Sequence, residues 1–236
     1  MTVGNRILNV ARIQLVNKVM VIGLPLFILL CVFAVNLALF LAVPFPEPED
    51  GMAMTGAVIS IYIATAIVHV QTMSQTLPFA LGMSITRRDF VFAAGAVVVG
   101  QALLYGVVLW VMRLLERATG GWGVNVAMFD LAFMETANPL TQILVFAAPF
   151  LFVSFCGLWA GIVFQRWGQL GVWVWILSFA AVLVGATAVV GWQDWWSSVG
   201  SFFTDTPTVV LLGVYPTVIA VVFAAATYAT SRRAVG

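Results

Sequence analysis

The chain has 236 residues, 63% of them hydrophobic and 8% charged, with a formal net charge of +1 and a mean hydropathy of +1.09. Nineteen charged side chains cannot dress the surface of a soluble domain this size, where about 25% charged residues is usual, and a disordered chain needs far more polarity. No basic run or aromatic-basic platform offers a nucleic-acid surface; the composition predicts an all-α membrane protein.

A bilayer core of about 30 Å needs roughly 20 apolar residues as helix. Before the first such run, residues 3–18 carry Arg6, Arg12 and Lys18, while Leu8, Ala11, Leu15 and Val19 recur at helical spacing. This pattern predicts an amphipathic helix lying in the membrane interface, with a solvated tail as the alternative. The first span is expected at 19–43. It is followed by PFPEPED, where Pro44, Pro46 and Pro48 force a stiff, extended turn.

The second span, 52–76, carries a polar stripe. Tyr62, Thr65, His69, Thr72 and Thr76 follow a 3-4-3-4 spacing that places them on one helix face, and Gln71 and Gln75 add a shorter row. Such groups cannot face lipid. Two readings stand: hydrogen bonding to neighbouring helices, or the lining of a substrate path. Pro78 can then kink or end the helix, and Thr86 can cap the next one, with Asp89 three positions on.

The third span is expected at 90–112. The helix is expected to extend past the membrane through Arg113, Glu116 and Arg117 and to break at Gly120-Gly121. The fourth span, 140–164, contains Gly157 and Gly161 one turn apart, a spacing that lets two helix backbones approach closely, within one chain or between two. The fifth span is 170–192. After it, Trp192, Trp195 (or Trp196), Val199 and Phe203 (or Phe202) share one face of a short interfacial or re-entrant helix, or form an aromatic belt. The sixth span is 209–230. Cys31 and Cys156 both sit inside apolar runs and read as small buried side chains.

Placing the N-terminus in the cytoplasm puts eight basic residues inside (Arg6, Arg12, Lys18, Arg87, Arg88, Arg166, Arg232 and Arg233) against Arg113 and Arg117 outside. Of the acids, only Asp89 is then inside. This strong positive-inside bias predicts that both termini are cytoplasmic.

Little chemistry is available at membrane depth. None of the six expected spans holds an Asp, Glu, Lys or Arg, and His69 is the only histidine. Ion-coupled carriers usually use buried carboxylates, so a solo secondary carrier is disfavoured. One histidine and no H-E-x-x-H give no zinc site, no G-x-S-x-G suggests a serine hydrolase, and no G-x-x-x-x-G-K-[ST] cradles a nucleotide.

The segment TLPFALGMSITRRDFVFAAG resembles the loop after the second helix in small bacterial ABC transporter permeases of the exporter (ABC-2-like) class, where a pattern like PFALSLGVTRRxFFLG is common. Pro78, Phe79, Ala80, Leu81, Gly82, Ser84, Thr86, Arg87, Arg88, Phe90 and Gly95 match, and the order around Met83 departs. FQRWGQLG, with Arg166, Trp167 and Gly168, is similar to the inner loop between helices four and five of these permeases. ATYATSRRAVG, with Arg232, Arg233 and Ala234, is similar to their ending.

The resemblance covers residues 1–236 as a single permease domain in a bacterial cytoplasmic membrane. It implies that ATP and Mg²⁺ belong to a separate cytosolic ABC ATPase, that a second permease half completes the unit, and that this chain is not itself an enzyme. It further implies coupling to the ATPase through Phe79, Leu81, Met83, Arg87, Arg88 and Arg166. A non-transporting membrane subunit, for assembly, immunity or sensing, is the alternative class.

Overall fold

The structure is a computed structural model and describes residues 9–12, 14, 18–43 and 52–233. The expectations for Arg6, Leu8, Leu15, Pro44, Pro46, Pro48, Ala234 and the side chains of Arg232 and Arg233 lie outside the described residues, as does most of the expected interfacial helix. The helices are α1 (Leu24–Ala42), α2 (Ile59–Gln71), α3 (Leu77–Gly82), α4 (Arg87–Ala118), α5 (Pro139–Trp192), α6 (Trp196–Asp205) and α7 (Tyr215–Arg233). Two short strands, β1 (Ala53–Met54) and β2 (Val126–Ala127), pair in parallel with Ala53 opposite Val126.

Among the described residues, four helical runs are long and apolar enough to cross a membrane: Val19–Ala42, Arg87–Ala118, Pro139–Trp192 and Val209–Ser231. The second expected span is displaced. Residues Ala53–Met54 are extended and pair with β2, and the helix runs from Ile59 through a π turn to Gly82. The polar stripe dilutes its apolar residues, which keeps it out of the four. The fourth and fifth expected spans fall in one helical run, α5. The only break is Gly168, with φ 65° and ψ −159°, a conformation that a residue with a Cβ adopts only under strain.

Among the described residues, three π turns lead directly into a helix, and each ends two residues before a proline. Val19–Gly23 precedes Pro25, Thr72–Thr76 precedes Pro78, and Val209–Val214 precedes Pro216. The residue before each proline reaches back five positions: Leu24 N–H to Val19, Leu77 to Thr72 and Tyr215 to Val210. Proline has no N–H and its ring crowds the carbonyl four residues back, so the widened turn relieves the clash. Neighbouring side chains take up carbonyls left over. Gln101 Nε2 donates to Val21 O at 2.7 Å, Tyr105 Oη to Ile22 O at 2.9 Å, and Gln165 Nε2 to Ser74 O at 3.4 Å.

The first arm of α5, residues 139–167, is the centre of the bundle, with α2, α4 and α7 packed on it. A Cβ on Gly157 would lie 2.6 Å from the Ala66 carbonyl oxygen, and one on Gly161 would lie 2.6 Å from that of Val70. Both distances are below any real Cβ contact, so these glycines are the seam at which α2 and its π turn meet α5 within one chain. One apolar cluster includes Ile61, Tyr105, Leu109, Phe129, Phe146 and Phe150. A second includes Met73, Leu77, Ala80, Phe90, Leu158 and Ile162. By contrast, the second arm of α5, residues 169–192, and α6 have no fully buried residue, although Trp175 meets Trp159 at 5.5 Å and Phe202 stacks on Tyr215 at 6.0 Å.

The bundle has two chemically distinct ends. At one, Gln165 reaches Ser74 and Arg87 Nη1 donates to Ser231 O at 3.5 Å, so the turn after α3, the Gly168 break and the end of α7 are neighbours. Arg87, Arg88 and Arg166 gather here. At the other end, Thr208 Oγ1 donates to Phe133 O at 3.3 Å, and the chain between α4 and α5 folds back as a cap.

Candidate functional site

The polar stripe divides into two parts. Thr65 and His69 are buried, and both are satisfied within their own helix: Thr65 Oγ1 donates to Ile61 O at 2.7 Å, and His69 Nδ1 to Thr65 O at 2.9 Å. Tyr62 Oη donates across to Phe146 O on α5 at 3.1 Å, and its ring lies 4.1 Å from that of Phe150. These three residues pack against α5. Thr72 and Thr76 do not; they line a cleft of about 560 Å³ that opens beside the π turn.

Gln14, Gln71 and Gln75 complete the polar lining of this cleft, and Met20, Val21, Val68, Phe79 and Met83 form its apolar lining. Helical spacing explains how one run supplies most of it. Gln71, Thr72, Gln75, Thr76 and Phe79 follow i, i+1, i+4, i+5, i+8 spacing, which places them on one face of the run. Gln14 enters from the N-terminal segment and is anchored by its Nε2, which donates to Phe90 O at 3.3 Å. Gln14, Met20 and Val21 have no counterpart among the residues that the polar spacing singles out, because they belong to another part of the chain.

The turn after the cleft is built on its hydrogen bonds. Ile85 N–H reaches Ala80 O at 3.2 Å and Ser84 N–H reaches Leu81 O at 3.0 Å, with Ser84 left-handed at φ 61°. This closes α3 in a Schellman motif. Thr86 then caps α4, its Oγ1 accepting from Asp89 N–H at 3.1 Å. The six residues singled out for coupling separate by environment. Phe79 and Met83 are exposed, at 65% and 46%, whereas Leu81 packs half-buried against the second apolar cluster. Arg87 is half-buried on Ser231. Arg88 lies 5.7 Å over the Phe92 ring and Arg166 lies 4.6 Å over that of Trp167.

The cap at the opposite end carries a buried ionic network. α4 extends to Ala118 and ends in a left-handed run at Gly120, Gly121, Trp122 and Gly123. The chain then returns over Glu116, which is 0% exposed. Its carboxylate accepts from Trp122 Nε1 at 2.6 Å and from three consecutive amides: Met128 at 2.9 Å, Phe129 at 3.1 Å and Asp130 at 2.7 Å. Arg113, 5% exposed, donates to Asp130 Oδ1 at 2.6 Å, Gln142 Oε1 at 2.9 Å and Glu135 Oε1 at 3.2 Å. Arg117 closes the same pair, donating to Asp130 Oδ2 and Glu135 Oε1, both at 2.6 Å.

Partial burial acts to raise the Asp130 carboxyl, but hydrogen bonds from Arg117 and Arg113 outweigh it and hold the group below its ordinary value. The Arg117 hydrogen bond lowers Glu135 in the same way, and these bonds raise the Arg117 guanidinium. Arg113, Glu116 and Arg117 mark the extension of α4 past its apolar run, as expected. The partners Asp130, Glu135 and Gln142 are fixed only by the path of the returning chain.

The cap's carboxylates are occupied by donors and thus suit a structural role, while the cleft presents polar groups that still have bonding capacity. No protein-family model matches the chain, and neither does any curated protein or solved structure.

Proposed function

We propose that this chain is the membrane-spanning half of a two-component ABC exporter in a bacterial cytoplasmic membrane, with six spans and both termini cytoplasmic. In this reading α5 supplies two spans, hinged at Gly168 on the inner face, and Ile59–Gly82 supplies the second span. A separate cytosolic ATPase binds and hydrolyses ATP, and a second permease half completes the path. The basic end faces the cytoplasm and the cap faces outward, in keeping with the eight-to-two split of basic residues.

The observation that carries the reading is the segment from Pro78 to Arg88. It bears the closest resemblance to ABC permeases, and it is a short helix and tight turn that leaves Phe79 and Met83 exposed a few residues before Arg87 and Arg88. Exposed apolar groups beside exposed arginine suit a protein partner better than a solvated turn does. The cleft adjoins this segment through Phe79 and Met83, so a movement of the turn would reshape it. That is the mechanical link an ATP-driven transporter requires: closure of the ATPases moves the turn, and the turn alters access to the cleft.

Affinity purification in mild detergent should recover an ABC ATPase with the chain. Phe79→Ala removes an exposed side chain that the core does not need. It should leave membrane insertion intact and reduce the co-purified ATPase at least tenfold, corresponding to about 1.4 kcal/mol. Recovery of the chain without any ATPase, under conditions that preserve other ABC complexes, counts against the reading.

A further inference from the structure

We infer that the cleft beside the π turn binds an uncharged amphiphile: a molecule with a hydroxyl- or amide-bearing head and a short apolar tail. As a statement about cargo, this rests on the transport reading above.

Three features of the cleft point to this class. The first is the absence of charge among its described lining residues. Its polar side chains are Gln14, Gln71, Thr72, Gln75 and Thr76, all neutral. A charged head placed here would meet no counter-ion among the described lining residues.

The second is the kind of bonding on offer. A carboxamide donates and accepts at once, as hydroxyls and amides do, whereas a carboxylate only accepts and an ammonium only donates. Thr72 Oγ1 is already given to Val68 O at 2.9 Å, and Gln14 Nε2 to Phe90 O. Gln71 and Gln75, one helical turn apart, make no side-chain hydrogen bond with any described residue. Both are exposed, so each offers an open carboxamide to a guest that can donate and accept.

The third is the apolar part of the lining, interleaved with the polar groups. Met20, Val68, Phe79 and Met83 give a pliable apolar surface, and methionine adapts to varied tails. The cleft's volume of about 560 Å³ lies within the range of sites for small organic ligands. The lining residues Phe79 and Met83 are themselves exposed at the basic end. A guest can therefore enter head-first from the inner interface.

The test uses the full chain in phosphatidylcholine nanodiscs and three radiolabelled ten-carbon probes: monodecanoylglycerol, decanoate and decyltrimethylammonium. Binding is measured above that of empty nanodiscs. Saturable binding of monodecanoylglycerol at least tenfold tighter than that of either charged probe is expected, and Gln71→Leu with Gln75→Leu should abolish the difference. Should that double variant fold poorly, Gln75→Glu provides a gain-of-function check. It should weaken the neutral probe and strengthen decyltrimethylammonium, each about tenfold. Equal or tighter binding of a charged probe to the native chain, no saturable binding of the neutral one, or a folded double leucine variant with unchanged preference would each overturn the inference. Because no ATPase is present in the assay, neutral binding to a chain that recovers no ATPase would leave the site intact and remove only the transport reading.

Discussion

Glu116 sits at the centre of the cap with four N–H donors directed at one carboxylate, three of them consecutive amides. Glu116→Gln would replace one acceptor oxygen by an NH₂ aimed at those donors. It should cost about 1–3 kcal/mol, the usual penalty for leaving buried polar groups unsatisfied, and appear as a lower midpoint in thermal unfolding of the detergent-solubilised protein. The Asp130 and Glu135 pairs add a pH dependence of definite sign. Both carboxyls titrate lower in the folded cap than in an unfolded chain, so their contribution is fully present above the ordinary carboxylate range of about 4 and is lost as pH falls below it. Arg117 stays charged throughout, so the acids alone set the window. Hydrogen exchange of the amides from Met128 to Thr136 should therefore be slow and pH-independent in protection from pH 8 to about 5, and protection should fall in more acidic buffer. Constant protection down to pH 2 would contradict this account.

At the scale of elements, the bundle depends on a few places where two helices touch backbone to backbone. Gly161→Ala would force a Cβ against the Val70 carbonyl and the Met73 Cβ, and should destabilise by about 1–3 kcal/mol, as overpacking does. Gly185→Ala, on the second arm of α5 with nothing within 4 Å, should instead be neutral or stabilise by up to about 1 kcal/mol. Thermal midpoints of the two variants, compared side by side, separate packing from helix propensity. Much of this level is legible in the sequence. The small-residue spacing of Gly157 and Gly161 marks a close contact, Thr86 and Asp89 announce the start of α4, and Gly120-Gly121 its end. Other boundaries are not legible, for physical reasons. Ala53–Met54 is as apolar as a helix and becomes a strand only because Val126–Ala127 lies alongside. Residues 165–169 carry polar side chains that suggest a loop, yet glycine alone makes the turn. The cleft was half legible. Thr72, Thr76, Gln71 and Gln75 stand out by spacing, but spacing does not say which of the stripe's residues face the cleft, and Gln14 is brought in from a distance of some 60 residues.

At the scale of the molecule, the two ends differ in charge and in what they expose, and the proposed orientation can be checked directly. In a variant with Cys31 and Cys156 replaced, a cysteine at Ser198 on α6 should react with an impermeant maleimide added to intact cells. One at Arg166 should react only after the membrane is opened. The reverse pattern would invert the orientation assigned from charge. The cap also bears on how force travels. α4 and the first arm of α5 are tied by Arg113 to Gln142 at the cap and by Gly106 beside Ala147 in the middle, so these two helices form one stiff piece. The second arm of α5 is joined to it in sequence through a single unhelical residue. At 1.5 Å per residue that arm is about 36 Å long, so a change of about 10° in the Gly168 torsions would sweep Trp192 through about 6 Å. A small rotation at Gly168 would thus be enlarged at the far end, with the Trp159–Trp175 contact as its brake: by geometry, the arm is a lever whose pivot is one glycine.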